Sequence, residues 1–175
     1  MHRIFLLSPA VVVALAACGG EPPEELGGFA LGTSQAEVLE TARAAGSFSC
    51  RFMGTRPSLT TCEGATPEGR VRVLVRGDVT RSITLHKDPS DSDPQRTMRR
   101  FVRGFGDPAW QERPVPSRSE PVEGYQTLWL NEDTTRSVAA TCAGTGLRPP
   151  CDLELAMTSP AAVQAKLDSL LGIRR

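Results

Sequence analysis

Residues 70–76 alternate arginine and valine, and this short run constrains the fold more than any other part of the chain. Val71, Val73 and Val75 recur with a period of two, while Arg70, Arg72 and, after Leu74, Arg76 fall between them. That is the pattern of a strand with one dry face and one wet, Arg-rich face. Gly77-Asp78 is a good two-residue hairpin turn. Val79 to His86 then returns with Ile83 and Leu85 aimed at the same core. Further strands are expected at Ser49 to Met53, Leu59 to Cys62, Tyr125 to Leu130, Arg136 to Cys142 and Cys151 to Met157.

Helices interleave with these strands. Ser34 and Glu37 have capping-box spacing, Val38, Leu39, Ala42 and Ala45 form one apolar face, and Gly46 ends the helix. Asp93-Pro94 opens a second helix with the stripe Met98, Phe101, Val102 and Phe105, stopped by Gly106-Asp107-Pro108. Ser159-Pro160 opens a third, which buries Val163, Leu167, Leu170 and Leu171 and ends at Gly172. A Pro-rich connection, Arg113 to Pro121, separates the halves. The fold class is α+β, with helices packed on one face of a twisted antiparallel sheet. One continuous sheet and two half-domains both remain open.

The start of the chain speaks to location. A basic residue, Arg3, precedes an apolar run from Ile4 through Ala14, and Leu15-Ala16-Ala17-Cys18 follows. This resembles a bacterial lipoprotein signal with its lipobox. The resemblance implies cleavage before Cys18 and lipid attachment to its sulfur. A transmembrane helix is the alternative, but the run falls short of the roughly 20 apolar residues a span needs. It also ends in small residues and then Gly19-Gly20-Glu21-Pro22-Pro23-Glu24-Glu25, which suits cleavage and tethering. Two or more acyl chains anchor stably where one is marginal. Gly19 stands where inner-membrane lipoproteins often carry Asp, so the resemblance implies an outer-membrane anchor facing the periplasm. The expected organisation is a signal over 1–17, a tether over 18–26 and one globular domain over 27–175.

Four cysteines remain beyond Cys18: Cys50, Cys62, Cys142 and Cys151. An even count in an exported domain implies disulfides. Three connectivities exist. The pairs Cys50–Cys62 and Cys142–Cys151 are favoured because each brackets an expected strand-to-strand connection. A four-cysteine zinc site is the rival, without any C-x-x-C to recommend it.

Charge and motifs exclude more than they assign. Lys+Arg and Asp+Glu number 20 each, which gives no overall signal for nucleic acid. There is no H-E-x-x-H, no P-loop and no G-x-G-x-x-G, so neither a cofactor nor a metal is expected. After signal cleavage His86 is the only histidine, and a Ser-His-Asp or Cys-His site has to use it. It stands at a strand end beside Lys87 and Asp88, as a surface histidine does. The carboxylate pairs Glu132-Asp133 and Asp152/Glu154 have the spacing of a polar turn or strand. Arg76-Gly77-Asp78 reads as turn chemistry.

The segment from Gly27 to Cys50, followed by Cys62, resembles the opening repeat of the β-lactamase inhibitor protein family and the small SmpA/OmlA (BamE) outer-membrane lipoproteins. Gly32, Ser34, Glu37 and Val38 carry the match, and the Cys50 to Cys62 spacing resembles the inhibitors' first disulfide. The resemblance implies a helix-on-sheet domain that binds other proteins and catalyses nothing. The inhibitors' acidic, aromatic-flanked loop is absent: residues 63–69 read Glu-Gly-Ala-Thr-Pro-Glu-Gly. Inhibition is therefore not carried over.

These readings converge on a monomeric, lipid-anchored binding or assembly-accessory module with an envelope protein or anionic lipid as partner. An envelope hydrolase and an inhibitor of a secreted enzyme are the alternatives. The candidate contact face is Arg96, Arg99, Arg100 and Arg103, spaced i, i+3, i+4 and i+7 on the second helix. Guanidinium groups suit bidentate contact with carboxylate or phosphate. A solvated face paired locally with Asp91, Asp93 or Glu112 is the plainer reading. Binding to anionic vesicles is expected to fall with added salt and with charge reversal at Arg99 and Arg103. Indifference to both sinks the basic-face reading.

Overall fold

The computed structural model describes residues 23–54, 58–87, 108–111, 122–146 and 150–170. Strands β3 (Phe48–Met53), β4 (Leu59–Thr66), β5 (Gly69–Arg76), β6 (Val79–Lys87), β7 (Trp110–Gln111), β8 (Val122–Leu130), β9 (Arg136–Gly146) and β10 (Cys151–Met157) form one eight-stranded sheet. Its order is β3-β4-β5-β6-β10-β9-β8-β7, and every described pairing is antiparallel. A two-stranded hairpin, β1 (Glu25–Leu26) with β2 (Phe29–Ala30), stands apart. The described helices are α1 (Gln35–Ala45) and α2 (Pro160–Leu170). The sheet is continuous, so the half-domain alternative gives way to a single layer joined where β6 pairs with β10.

The valine alternation behaves as expected. Val71, Val73, Val75, Ile83 and Leu85 are all within 1% of full burial, and the intervening arginines of β5 are exposed. Gly77 and Asp78 both take positive φ, 61° and 62°, the geometry of a type I′ turn. The dry face runs on across the seam through Leu153 and Leu155 of β10, Val138 and Ala140 of β9, and Trp129 of β8. Gly64 is required on this face, because the Phe48 ring lies over it and an added Cβ would meet that ring at 2.5 Å. Phe48 in turn packs against Phe29, with ring centroids 5.0 Å apart.

Helix α1 covers the β3–β6 half of the dry face through Val38 and Ala42. Its capping box is complete: Ser34 Oγ accepts from Glu37 N–H at 3.3 Å, and Glu37 Oε2 accepts from Ser34 N–H at 2.8 Å. Gly46 closes the helix in the left-handed region. The hairpin turn holds the same end, since Asp78 Oδ1 accepts from Gln35 N–H at 3.1 Å. The Arg-Gly-Asp tripeptide therefore serves the docking of α1, as its reading as turn chemistry implied.

Helix α2 lies over the other face. Val163 is nearly buried, and Lys166 Nζ sits 3.4 Å from Glu154 of β10. Glu154 stands between the core residues Leu153 and Leu155, so its side chain faces away from the core. Helix α1 thus covers the dry face, whereas α2 touches the wet one through Lys166. The helix expected from Asp93-Pro94 lies outside the described residues. Leu26 is 4% exposed and belongs to the core, and Gly27-Gly28, both at positive φ, turn β1 into β2. The Trp110–Gln111 strand was not expected.

Three stability outcomes follow from these contacts. Leu85→Ala at the seam is expected to cost about 2–5 kcal/mol, measured by urea unfolding. Both halves should still unfold in one transition. Ser34→Ala is expected to cost about 1 kcal/mol through loss of the cap. The Ser34 backbone N–H, followed by its hydroxyl, holds the Glu37 carboxyl below the usual carboxylate range. A depressed folded-state value stabilises above the unfolded value and is lost as pH falls through the folded one. The stability gap between the parent and Glu37→Gln is therefore expected to be flat at neutral pH and to change only on acidification, which urea titrations from pH 7 to pH 3 would read.

Candidate functional site

Antiparallel register lines up side chains from different strands in rows, and two rows on the wet face gather most of the chain's described chemistry. One runs Trp110, Leu128, Ala139, Glu154, Thr84, Arg72, Glu63 across seven strands. The next runs Gln126, Thr141, Asp152, His86, Arg70. From Trp110 to Arg72 in the first row and from Gln126 to Asp152 in the second, with Lys166 reaching in from α2, they line a groove of about 330 Å³. A second depression of about 230 Å³ adjoins it, shares Arg72, Thr84 and Asp152, and takes in Glu63, Arg70 and His86 from the far ends of the rows.

The charges of the groove meet in pairs. Arg72 Nε donates to Glu63 Oε1 at 2.6 Å across β5 and β4. Lys166 Nζ donates to Glu154 Oε2 at 3.4 Å. His86 Nδ1 and Asp152 Oδ1 are 2.5 Å apart as direct cross-strand partners. These groups keep substantial solvent contact, His86 the least at 32% side-chain exposure. Pairs so exposed contribute about 0–1 kcal/mol each. Their larger effect is geometric, since each fixes the direction of two flexible side chains.

Several expected residues land here and others do not. His86, expected as a surface histidine, is half-buried and held by Asp152. Asp152 and Glu154, two apart on one strand, are brought beside β6 by the pairing, while Glu132 and Asp133 stay exposed in the turn between β8 and β9. The outer face of β5 is Arg-rich as expected, and Glu63 of the neighbouring β4 faces Arg72, so the wet face as a whole carries mixed charge. Cys50–Cys62 and Cys142–Cys151 form the favoured disulfides, each between directly opposed residues, which removes the zinc alternative. Cys18 and the stripe Arg96, Arg99, Arg100 and Arg103 lie outside the described residues. Among those residues no group of three or more His, Cys, Asp or Glu side chains is placed to hold a metal. None of the described helices is long and apolar enough to cross a membrane.

Sequence reading missed Trp110, Gln126, Thr141 and Lys166 as site residues. The polar positions of β8 and β9 alternate with core residues, which was a signal for a wet face. Nothing local said that this face would continue into that of β5 and β6. No protein-family model matches the chain, and no curated protein or solved structure matches it. The resemblance to the inhibitor and BamE-type families thus rests on the motif around Gly32 to Val38 and the Cys50 to Cys62 spacing.

Exposure sets the expected strength of the central pair. A double-mutant cycle of His86→Ala and Asp152→Ala, read by urea unfolding, is expected to give a coupling at or below about 1 kcal/mol. A coupling of several kcal/mol would mean that the pair is desolvated and mainly holds the seam.

Proposed function

We propose that the protein is a lipid-anchored binding or assembly-accessory module of a bacterial envelope. The observation that carries this reading is the groove. It is concave and polar, it is built on a stiff sheet, and its ion pairs fix the directions of its side chains. Such a surface is suited to hold a ligand in a defined orientation. The lipobox-like Leu15-Ala16-Ala17-Cys18 supports the address, an outer-membrane anchor facing the periplasm. Anchoring raises the local concentration near membrane partners, so a modest affinity suffices. The arginine stripe at Arg96, Arg99, Arg100 and Arg103 offers a separate contact for an anionic lipid or acidic protein. The helix-on-sheet domain that the resemblance to small lipoproteins and inhibitors implies supports protein binding as well.

One observation favours a second reading, an envelope hydrolase. His86 is oriented by Asp152 at the edge of the groove, the arrangement in which a carboxylate fixes a general-base imidazole.

Crosslinking in native envelopes, followed by capture of the tagged protein and mass spectrometry, tests the first reading. A stoichiometric partner lost in groove or Arg99/Arg103 variants is expected. Hydrolysis of model esters, amides or glycosides that disappears in His86→Ala would replace the module reading with the hydrolase. Replacing Cys18 with Ser is expected to move the protein from the membrane to the soluble fraction, and membrane retention would remove the anchor.

A further inference from the structure

We propose that the groove on the wet face is a binding site for a neutral glycan. The inference rests on the binding-module reading and names the ligand class. The argument is one of matching hydrogen-bonding chemistry. Arg72 and Lys166 each already face a carboxylate, on Glu63 and Glu154, and Asp152 of the groove is held by His86 of the adjoining depression. An anionic ligand has to compete with those carboxylates, and a cationic one with the basic groups. A neutral ligand competes with neither. The paired carboxylates retain lone pairs, and Arg72 and Lys166 retain N–H donors. Gln126, Thr84 and Thr141 add an amide and two hydroxyls to the same lining. Donors and acceptors therefore alternate at close range, as a ring of sugar hydroxyls requires, because every hydroxyl both donates and accepts.

The floor and one end supply the apolar part. Trp110 lines the groove next to Leu128, its direct partner in the β7–β8 pairing, and Ala139 follows in the same row. An indole beside small apolar side chains gives the C–H face of a pyranose a surface to lie on. The volume of about 330 Å³ is at the small end of the range for small-molecule sites, which suits one or two sugar rings.

A peptide fits the groove less well. The groove crosses the interior of the sheet, where β5, β6, β10 and β9 are paired on both sides and β8 pairs with β7 at Leu128 and Thr127. Extended peptides gain affinity from a free strand edge, and these four interior strands offer none. Contacts here must come from side chains to groups on the ligand's periphery.

The test uses the full chain in a zwitterionic detergent that carries no sugar headgroup. Cellobiose and N,N′-diacetylchitobiose are titrated by calorimetry and by NMR of the tryptophan indole N–H signals. At least one disaccharide is expected to bind, to shift the Trp110 signal and to bind equally at low and high salt. Trp110→Ala and Gln126→Leu are each expected to weaken binding at least tenfold, whereas Phe52→Ser, on exposed strand β3 surface, leaves it unchanged. Circular dichroism and unfolding midpoints establish that each variant is folded. Two independent groove variants keep the test decisive if one fails to fold. No saccharide binding, or binding that falls with salt and is displaced by phosphate, overturns the glycan inference. If a crosslinked protein partner is still lost in the groove variants, the module reading stands without it. New reducing ends released from the saccharides would overturn both.

Discussion

The pairing of β6 with β10 is the constraint on which the rest of the molecule depends. It runs from Cys151 opposite Lys87 to Ala156 opposite Ser82 and joins two sequence-distant halves into one sheet. Antiparallel register then decides both faces together. Leu153 with Leu85, and Leu155 with Ile83, fall on the dry side, while Asp152 with His86, and Glu154 with Thr84, fall on the wet side. A slip of one residue would turn the leucines into solvent and the carboxylates into the core. Core and groove are thus two consequences of one register, and the buried leucines enforce the geometry of the polar site beneath them.

Each half carries its own reinforcement. Cys50–Cys62 ties edge strand β3 to β4, and Cys142–Cys151 ties β9 to β10 beside the seam. Loops this short lower the entropy of the unfolded chain by an amount worth about 3 kcal/mol each in the chain-entropy model. Helix α1 is fixed at its start by its own capping box and by Asp78 of the β5–β6 turn, so cover and sheet are registered at the same corner. Helix α2 adds Lys166 to the opposite face. The sheet is therefore sandwiched unequally, with an apolar cover on one side and a polar groove on the other.

That inequality carries the functional reading. A wet face of isolated arginines would attract any anion. A wet face of cross-strand ion pairs, hydroxyls and an indole selects by hydrogen-bond geometry. The arginine stripe at residues 96–103, if it meets anionic lipid, would then orient the domain rather than supply its selectivity.

Much of the local structure was legible in the sequence because it depends on neighbours along the chain. The Val71–Val75 alternation, the Gly77-Asp78 turn, the Ser34/Glu37 cap and the Gly46 stop are short-range physics, and each stands as expected. The disulfide pairs were legible for the same reason, since each spans one strand connection. The β1–β2 hairpin was missed, although Gly27-Gly28 marks its turn. The sequence alone also determined that one side of the β5–β6 hairpin had to be buried. Only the tertiary structure decided that β10 inserts beside β6, that Lys166 of α2 reaches the wet face, that His86 meets Asp152, and that Trp110 and Lys166 line one groove. Those contacts join residues separated by 66 positions in the case of His86 and Asp152. Hydrophobic patterning fixes which way each strand faces, but it is silent about which strand becomes its neighbour.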